Sequence, residues 1–161
     1  MNNKIHNKPV FNRKDGFLLS GIHLINIPDL YKHPVLASSE TRIKLINSLK
    51  EACGVYWSYG IEEIFVDGSF ASMKENPNDI DGYIAFENEN SSKFIQLLKS
   101  GSIWGDFLST DKKTGKYRMW AEHRIEFYAH PIQKAYGYIP FPVFYTGMTK
   151  YVNKGILKII Q

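Results

Sequence analysis

Two aspartates stand two residues apart at the head of an apolar run: Asp79 and Asp81, with Ile80 between them, in "NDIDGYIAF". Like charges this close repel each other, so the pair costs stability unless a cation settles between them. On a strand, residues two apart project from one face, which sends both carboxylates one way and Ile80 the other. Such a pair suits a hard divalent cation, Mg²⁺ or Mn²⁺. Magnesium takes oxygen ligands, keeps several waters and is usually completed by substrate phosphates. Two such ions about 3.5–4 Å apart can activate an attacking hydroxyl and stabilise the leaving oxygen of an in-line displacement.

Upstream, the apolar run Ile64-Phe65-Val66 leads into Asp67-Gly68-Ser69, with nine residues between Ser69 and Asp79. Gly68 permits close backbone approach. Exposed N–H groups there, at the start of an expected short helix, and the Ser69 hydroxyl can bind phosphate oxygens. Lys74, within the connection, can touch a phosphate as well, although an exposed helix-end lysine is the plainer reading.

The elements that must carry these residues follow from hydrophobic spacing. Ile43, Ile46, Leu49, Ala52 or Cys53, and Tyr56 recur at helical intervals, with Ser38 or Ser39 as cap, Glu40 in the first turn and Gly60 as stop. Residues 61–68, 79–87 and 123–131 read as strands, the first covered on both faces at Ile64-Phe65-Val66. Residues 90–101 read as a short capped helix, and 154–161 as a closing strand. Pro28 and Pro34 mark 16–34 as a strand-poor wrapping segment, and "GYIPFPVFY" predicts little regular structure. The basic stretch with Lys112, Lys113, Lys116 and Arg118 reads as a solvated hairpin loop, or as a guide for RNA or DNA. The order predicts an α+β fold with a small mixed or antiparallel sheet, residues 1–15 as a flexible lead-in and 16–161 as one domain.

A strand, Gly-Ser, a spacer and Asp-Ile-Asp together resemble the core motif of the nucleotidyltransferase superfamily with a DNA polymerase beta-like fold. That motif is a hydrophobic residue, Gly-Gly or Gly-Ser, roughly seven to thirteen residues, then Asp-hydrophobic-Asp/Glu. The superfamily adds a third acid within a hydrophobic-acid-hydrophobic pattern on a later strand, and Ile125-Glu126-Phe127 fits, with glutamate in place of the more usual aspartate. The chain also resembles minimal nucleotidyltransferase-like proteins of bacteria and phages, through Gly68-Ser69-Phe70, Lys74, Pro77, Asp79-Ile80-Asp81-Gly82, Lys154-Gly155-Ile156 and the lead-in "GIHLINIPDL". The resemblance implies Asp79, Asp81 and Glu126 as metal ligands and catalytic residues. It implies Gly68 and Ser69 as holders of the β- and γ-phosphates, and a nucleoside triphosphate as substrate. The acceptor would be a hydroxyl on a protein, an RNA end or a small molecule, brought by a partner protein if the arrangement follows toxin–antitoxin pairs.

Composition bounds the rest. A chain of 161 residues with 43% hydrophobic content supports one domain with a real core. The net charge of +4 allows a polyanionic partner without demanding one. Cys53 is the single cysteine, which excludes an intrachain disulfide and a cysteine-based zinc site, and its apolar surroundings predict an inert buried thiol. With neither a signal-peptide pattern nor an apolar run of membrane-spanning length, a cytoplasmic protein without membrane contact is expected. Two rivals to the transferase remain: a catalytically silent module that keeps the fold for binding or regulation, and a metal-dependent phosphate-ester hydrolase.

Overall fold

The computed structural model of the chain describes residues 4–86, 91–129 and 154–161. The strands are β1 (Ile5–His6), β2 (Ile22–Asn26), β3 (Glu63–Asp67), β4 (Ile80–Ala85), β5 (Ile125–Ala129) and β6 (Ile156–Ile160). The helices are α1 (Ile27–Lys32), α2 (Glu40–Ser58), α3 (Ser91–Lys99) and α4 (Arg118–His123). Among the described residues the strands form a single six-stranded mixed sheet in the order β1-β2-β6-β3-β4-β5. The β1–β2, β2–β6 and β4–β5 pairs are parallel, while β6–β3 and β3–β4 are antiparallel. The fold is therefore α+β, as the sequence predicts.

The long helix α2 forms where its spacing calls for it. Ser39 caps it by accepting a hydrogen bond from the Arg42 N–H. Its end is a Schellman turn: Gly60 N–H donates to the Trp57 carbonyl at 2.8 Å and Ile61 N–H to that of Tyr56 at 2.9 Å. Gly60 supplies the left-handed φ of 66° that this closure requires. The helix buries Leu45, Ile46, Leu49, Ala52, Cys53 and Tyr56 against one face of the sheet. That face is lined by Ile64, Val66, Ile80, Ile84, Ile125, Phe127, Leu157 and Ile159, all fully buried. Cys53 lies inside this core, where burial pushes its thiol up to about 12 and keeps it unreactive.

Strand alternation sends the intervening residues to the opposite face. Phe65, Tyr83 and Ile156 form a smaller apolar cluster there, with Phe65 and Tyr83 stacked at 4.7 Å. Asp67, Asp81 and Glu126 share that side. Phe65 on one face and Ile64 and Val66 on the other are all buried, so β3 is covered on both sides as expected.

Three local expectations are corrected. Residues 22–32, expected to be strand-poor, hold β2 and α1, because Asn26 caps α1 and Pro28 falls in its first turn, where a missing N–H costs nothing. The lead-in contributes β1, which pairs with β2 through Ile5 and His6. No helix follows Gly68-Ser69: residues 68–71 form a turn, and the Ser72 hydroxyl donates back to the Ser69 carbonyl at 2.7 Å. The "GYIPFPVFY" segment lies outside the described residues. Among the described residues, no helix is long and apolar enough to cross a membrane.

Candidate active site

The register of three adjacent strands sets three acids side by side. Asp67 of β3 pairs with Asp81 of β4, and Asp81 pairs in turn with Glu126 of β5. Paired residues on neighbouring strands share a face, so the carboxylates form a row across the sheet. Asp79 sits one residue before β4, where the Ile80 N–H donates to the Arg124 carbonyl at 2.9 Å and anchors the strand's entry. Ile80 is fully buried in the α2-side core, which leaves Asp79 and Asp81 to the other side. The structure thus sets Asp79, Asp81 and Glu126 on one side of the sheet, with Asp67 beside them.

Each carboxylate has its own setting. Asp67 is 2% exposed; its Oδ1 pairs with Lys154 Nζ at 2.9 Å, while Oδ2 accepts no hydrogen bond among the described residues. Burial raises its pKa, and Lys154 works against that rise. The carboxyl of Asp81 is pushed up to about 6, first by burial and next by the charge of Asp79, with Glu126 and Asp67 adding to it and Lys116 opposing. Asp79 Oδ2 accepts from Trp120 Nε1 at 2.9 Å, and Glu126 Oε2 lies 2.6 Å from Lys116 Nζ. The same ammonium is 3.6 Å from Asp79 Oδ2, so Lys116 bridges the two outer acids.

Gly68 borders this row. A Cβ there would collide with Asp81 Oδ2, and its φ of 71° is left-handed, so the turn and the carboxylate fit together only with glycine at this position. Ser69 follows in the same turn. The side chain of Lys74 is exposed; the fold uses its carbonyl, which accepts from Arg42 Nη2 at 2.6 Å. A cleft of about 470 Å³ opens beside Asp79, lined by Thr41, Asn76, Asn78, Trp120 and Arg124 among others. A larger one, about 750 Å³, runs along α2 past Lys50, Glu51 and Trp104, and its lining includes none of these carboxylates.

The donor set suits a hard cation. It consists of carboxylate oxygens, one of them buried without a hydrogen bond and another held well above its ordinary pKa by burial and by like charge. Among the described residues, however, no group of three or more acid, histidine or cysteine side chains is preassembled around one metal position. Lys116 lies between two of the acids instead.

Residues 9–160 match a family of unknown function, DUF6932. The chain belongs to this family. No curated protein and no solved structure matches it. In this DUF6932 chain the match runs through every residue of the carboxylate row and both of its lysines.

Several residues of the DUF6932 site escaped the sequence reading. Asp67 was visible in the motif, and counting two residues on from Phe65 would have placed it on the site's face. The sequence shows Lys116 only as part of a basic loop; Lys112 and Lys113 are exposed there, and Arg118 pairs with Asp106 and Glu122. Trp120 sits on α4, a helix the sequence does not announce, and Arg124 caps the end of that helix just before β5. Arg124 takes a left-handed conformation at φ 57°, unusual for a residue with a side chain, and its guanidinium lies 4.4 Å from the Trp120 ring centroid. That sharp exit from α4 passes directly into β5 and sets Trp120 over Asp79.

Proposed function

We propose that this protein is a metal-dependent nucleotidyltransferase, moving a nucleoside monophosphate from a nucleoside triphosphate to a hydroxyl acceptor. The observation that carries the reading is the row Asp67–Asp81–Glu126 with Asp79 at its flank, on one sheet face beside the Gly68–Ser69 turn. Lys116 and Lys154 pair with Asp79, Glu126 and Asp67, yet the Asp81 carboxyl is still raised by burial and by like charge, a cost that packing does not explain and a bound cation would relieve. Mg²⁺ or Mn²⁺ held by Asp79, Asp81 and Glu126 would neutralise phosphate charge and acidify the acceptor hydroxyl.

The chain's own groups have distinct tasks in this reading. Gly68, by allowing close backbone approach, and the Ser69 hydroxyl hold the β- and γ-phosphates, now from a turn and without help from a helix dipole. Glu126 orients the acceptor hydroxyl and can take its proton as the oxygen bonds to the α-phosphorus and pyrophosphate departs. Most of the rate would come from positioning and from charge complementarity. The acceptor belongs to a protein, an RNA end or a small molecule, and a partner protein can present it.

A second reading is favoured by one observation: Lys116 already neutralises Glu126 and approaches Asp79. In that reading the fold is kept as a silent binding or regulatory module. Incubation with α-³²P-labelled nucleoside triphosphates and Mg²⁺ separates the two. Transfer of label to an acceptor, abolished in Asp79→Ala and Asp81→Ala, supports the enzyme. Absence of both transfer and nucleotide binding by calorimetry supports the module, and label released without transfer points to a hydrolase.

A further inference from the structure

We propose that Lys116 is the resident counter-cation of the carboxylate site, and that its ammonium must leave before a divalent ion can bind between Asp79 and Glu126. The inference rests on the reading of Asp79, Asp81 and Glu126 as cation ligands. Lys116 Nζ stands 2.6 Å from Glu126 Oε2 and 3.6 Å from Asp79 Oδ2, distances that place it between the two carboxylates a bound ion would use. A divalent ion at either carboxylate would meet the ammonium at close range, and two cations so near each other repel strongly. Occupancy by the lysine and by the metal are therefore mutually exclusive.

The lysine is built to move. Its backbone is fixed without the carboxylates: the Asp111 N–H donates to the Lys116 carbonyl at 2.8 Å, and the Gly115 N–H donates to the Asp111 carbonyl at 2.8 Å. Asp111 Oδ1 collects the N–H groups of Lys113 and Thr114 and the Thr114 hydroxyl, which stiffens the same turn. The side chain alone reaches into the site, on a flexible four-carbon stem that is 31% exposed. The Trp120 ring, 4.8 Å from Nζ at its centroid, offers the ammonium a second favourable surface near the carboxylates. Retraction thus costs a hydrogen bond and an ion pair and leaves the turn intact. The site is charge-compensated when empty and opens when a better cation arrives.

The test is Mn²⁺ binding to the free protein, followed by electron paramagnetic resonance and calorimetry without nucleotide. Lys116→Met keeps the stem and removes the charge; it should bind Mn²⁺ about tenfold or more tightly than wild type. Lys116→Gln repeats the test if the methionine variant does not fold. Lys116→Arg, whose fork grips carboxylates more firmly, should bind no more tightly than wild type. Equal or weaker Mn²⁺ binding by the methionine and glutamine variants overturns the gate and leaves the metal reading standing. No Mn²⁺ binding by any form at millimolar concentration overturns both.

Discussion

Arg42 and Lys116, two of the cationic side chains that reach into this fold, are held in opposite ways. Arg42, on α2, is fully buried, with its guanidinium donating to the carbonyls of Phe70 (3.0 Å), Ser72 (2.7 Å) and Lys74 (2.6 Å) and lying over the Phe70 ring. Burial lowers its pKa to about 10, which still leaves it charged at neutral pH. Lys116 is partly exposed and is held by carboxylates. Carbonyls on a loop have no stronger claimant than a planar fork of donors, so Arg42 is permanent. Carboxylates do have one, a divalent ion, so Lys116 is provisional. The first cation shapes the connection from Gly68 to Asp79; the second occupies the site which that connection builds.

The sharpest way to break this contrast is to remove Arg42. Arg42→Met should strand three carbonyls in a buried loop at ~1–3 kcal/mol each, less whatever water recovers. We expect a loss of about 4 kcal/mol in urea denaturation, together with loss of Mn²⁺ binding. A loss under about 1 kcal/mol would mean that the loop does not depend on Arg42.

Asp81 gives an effect of intermediate size and opposite sign. Its carboxyl is held at about 6 in the folded protein, against about 4 in an unfolded chain. Ionising it therefore opposes folding; that opposition is complete above pH 6 and fades as pH falls toward 4. Asp81→Asn should raise stability by about 2 kcal/mol at pH 7.5, within the ~3 kcal/mol that the raised pKa represents, and the gain should vanish near pH 4. Thermal melts of both proteins across that range measure it. A destabilised Asp81→Asn at neutral pH would mean that the charge is already compensated.

Smallest of all should be the stability cost of Lys116→Gln. Glu126 is buried, so removing the ammonium leaves its carboxylate without a charge-assisted hydrogen bond, at about 1.5 kcal/mol, and urea titration beside Arg42→Met sharpens the comparison. A loss approaching that of Arg42→Met would make Lys116 a structural cation after all.

Much of this architecture can be read from residue types. The α2 face, its Ser39 cap and Gly60 stop, the cores of β3, β4 and β5, and β6 all follow from apolar spacing. Convergence of Asp79, Asp81 and Glu126 follows from acids standing at matched points on strands. What stayed hidden depends on partners distant in sequence. His23 interrupts the apolar pattern of β2, yet it is fully buried because the Leu19 carbonyl, 2.7 Å from Nε2, and the Val10 N–H, 3.2 Å from Nδ1, satisfy its ring. Arg42 looks like a surface residue until the loop it binds, about thirty positions onward, folds over it. Lys116 sits in a polar turn whose composition says only that it is solvated. Pro28 looks like a breaker in the sequence because its place in the first turn of α1 depends on where Asn26 ends β2.

One consequence of the sheet order concerns how the molecule comes together during synthesis. The last strand among the described residues, β6, is wedged between β2 and β3. Until residues 156–160 emerge from the ribosome, β2 and β3 each present an unzipped edge, the kind of backbone that recruits stray strands. A chain cut before Ile156 would keep every acid of the candidate site and still lack the seam joining the two halves of its sheet.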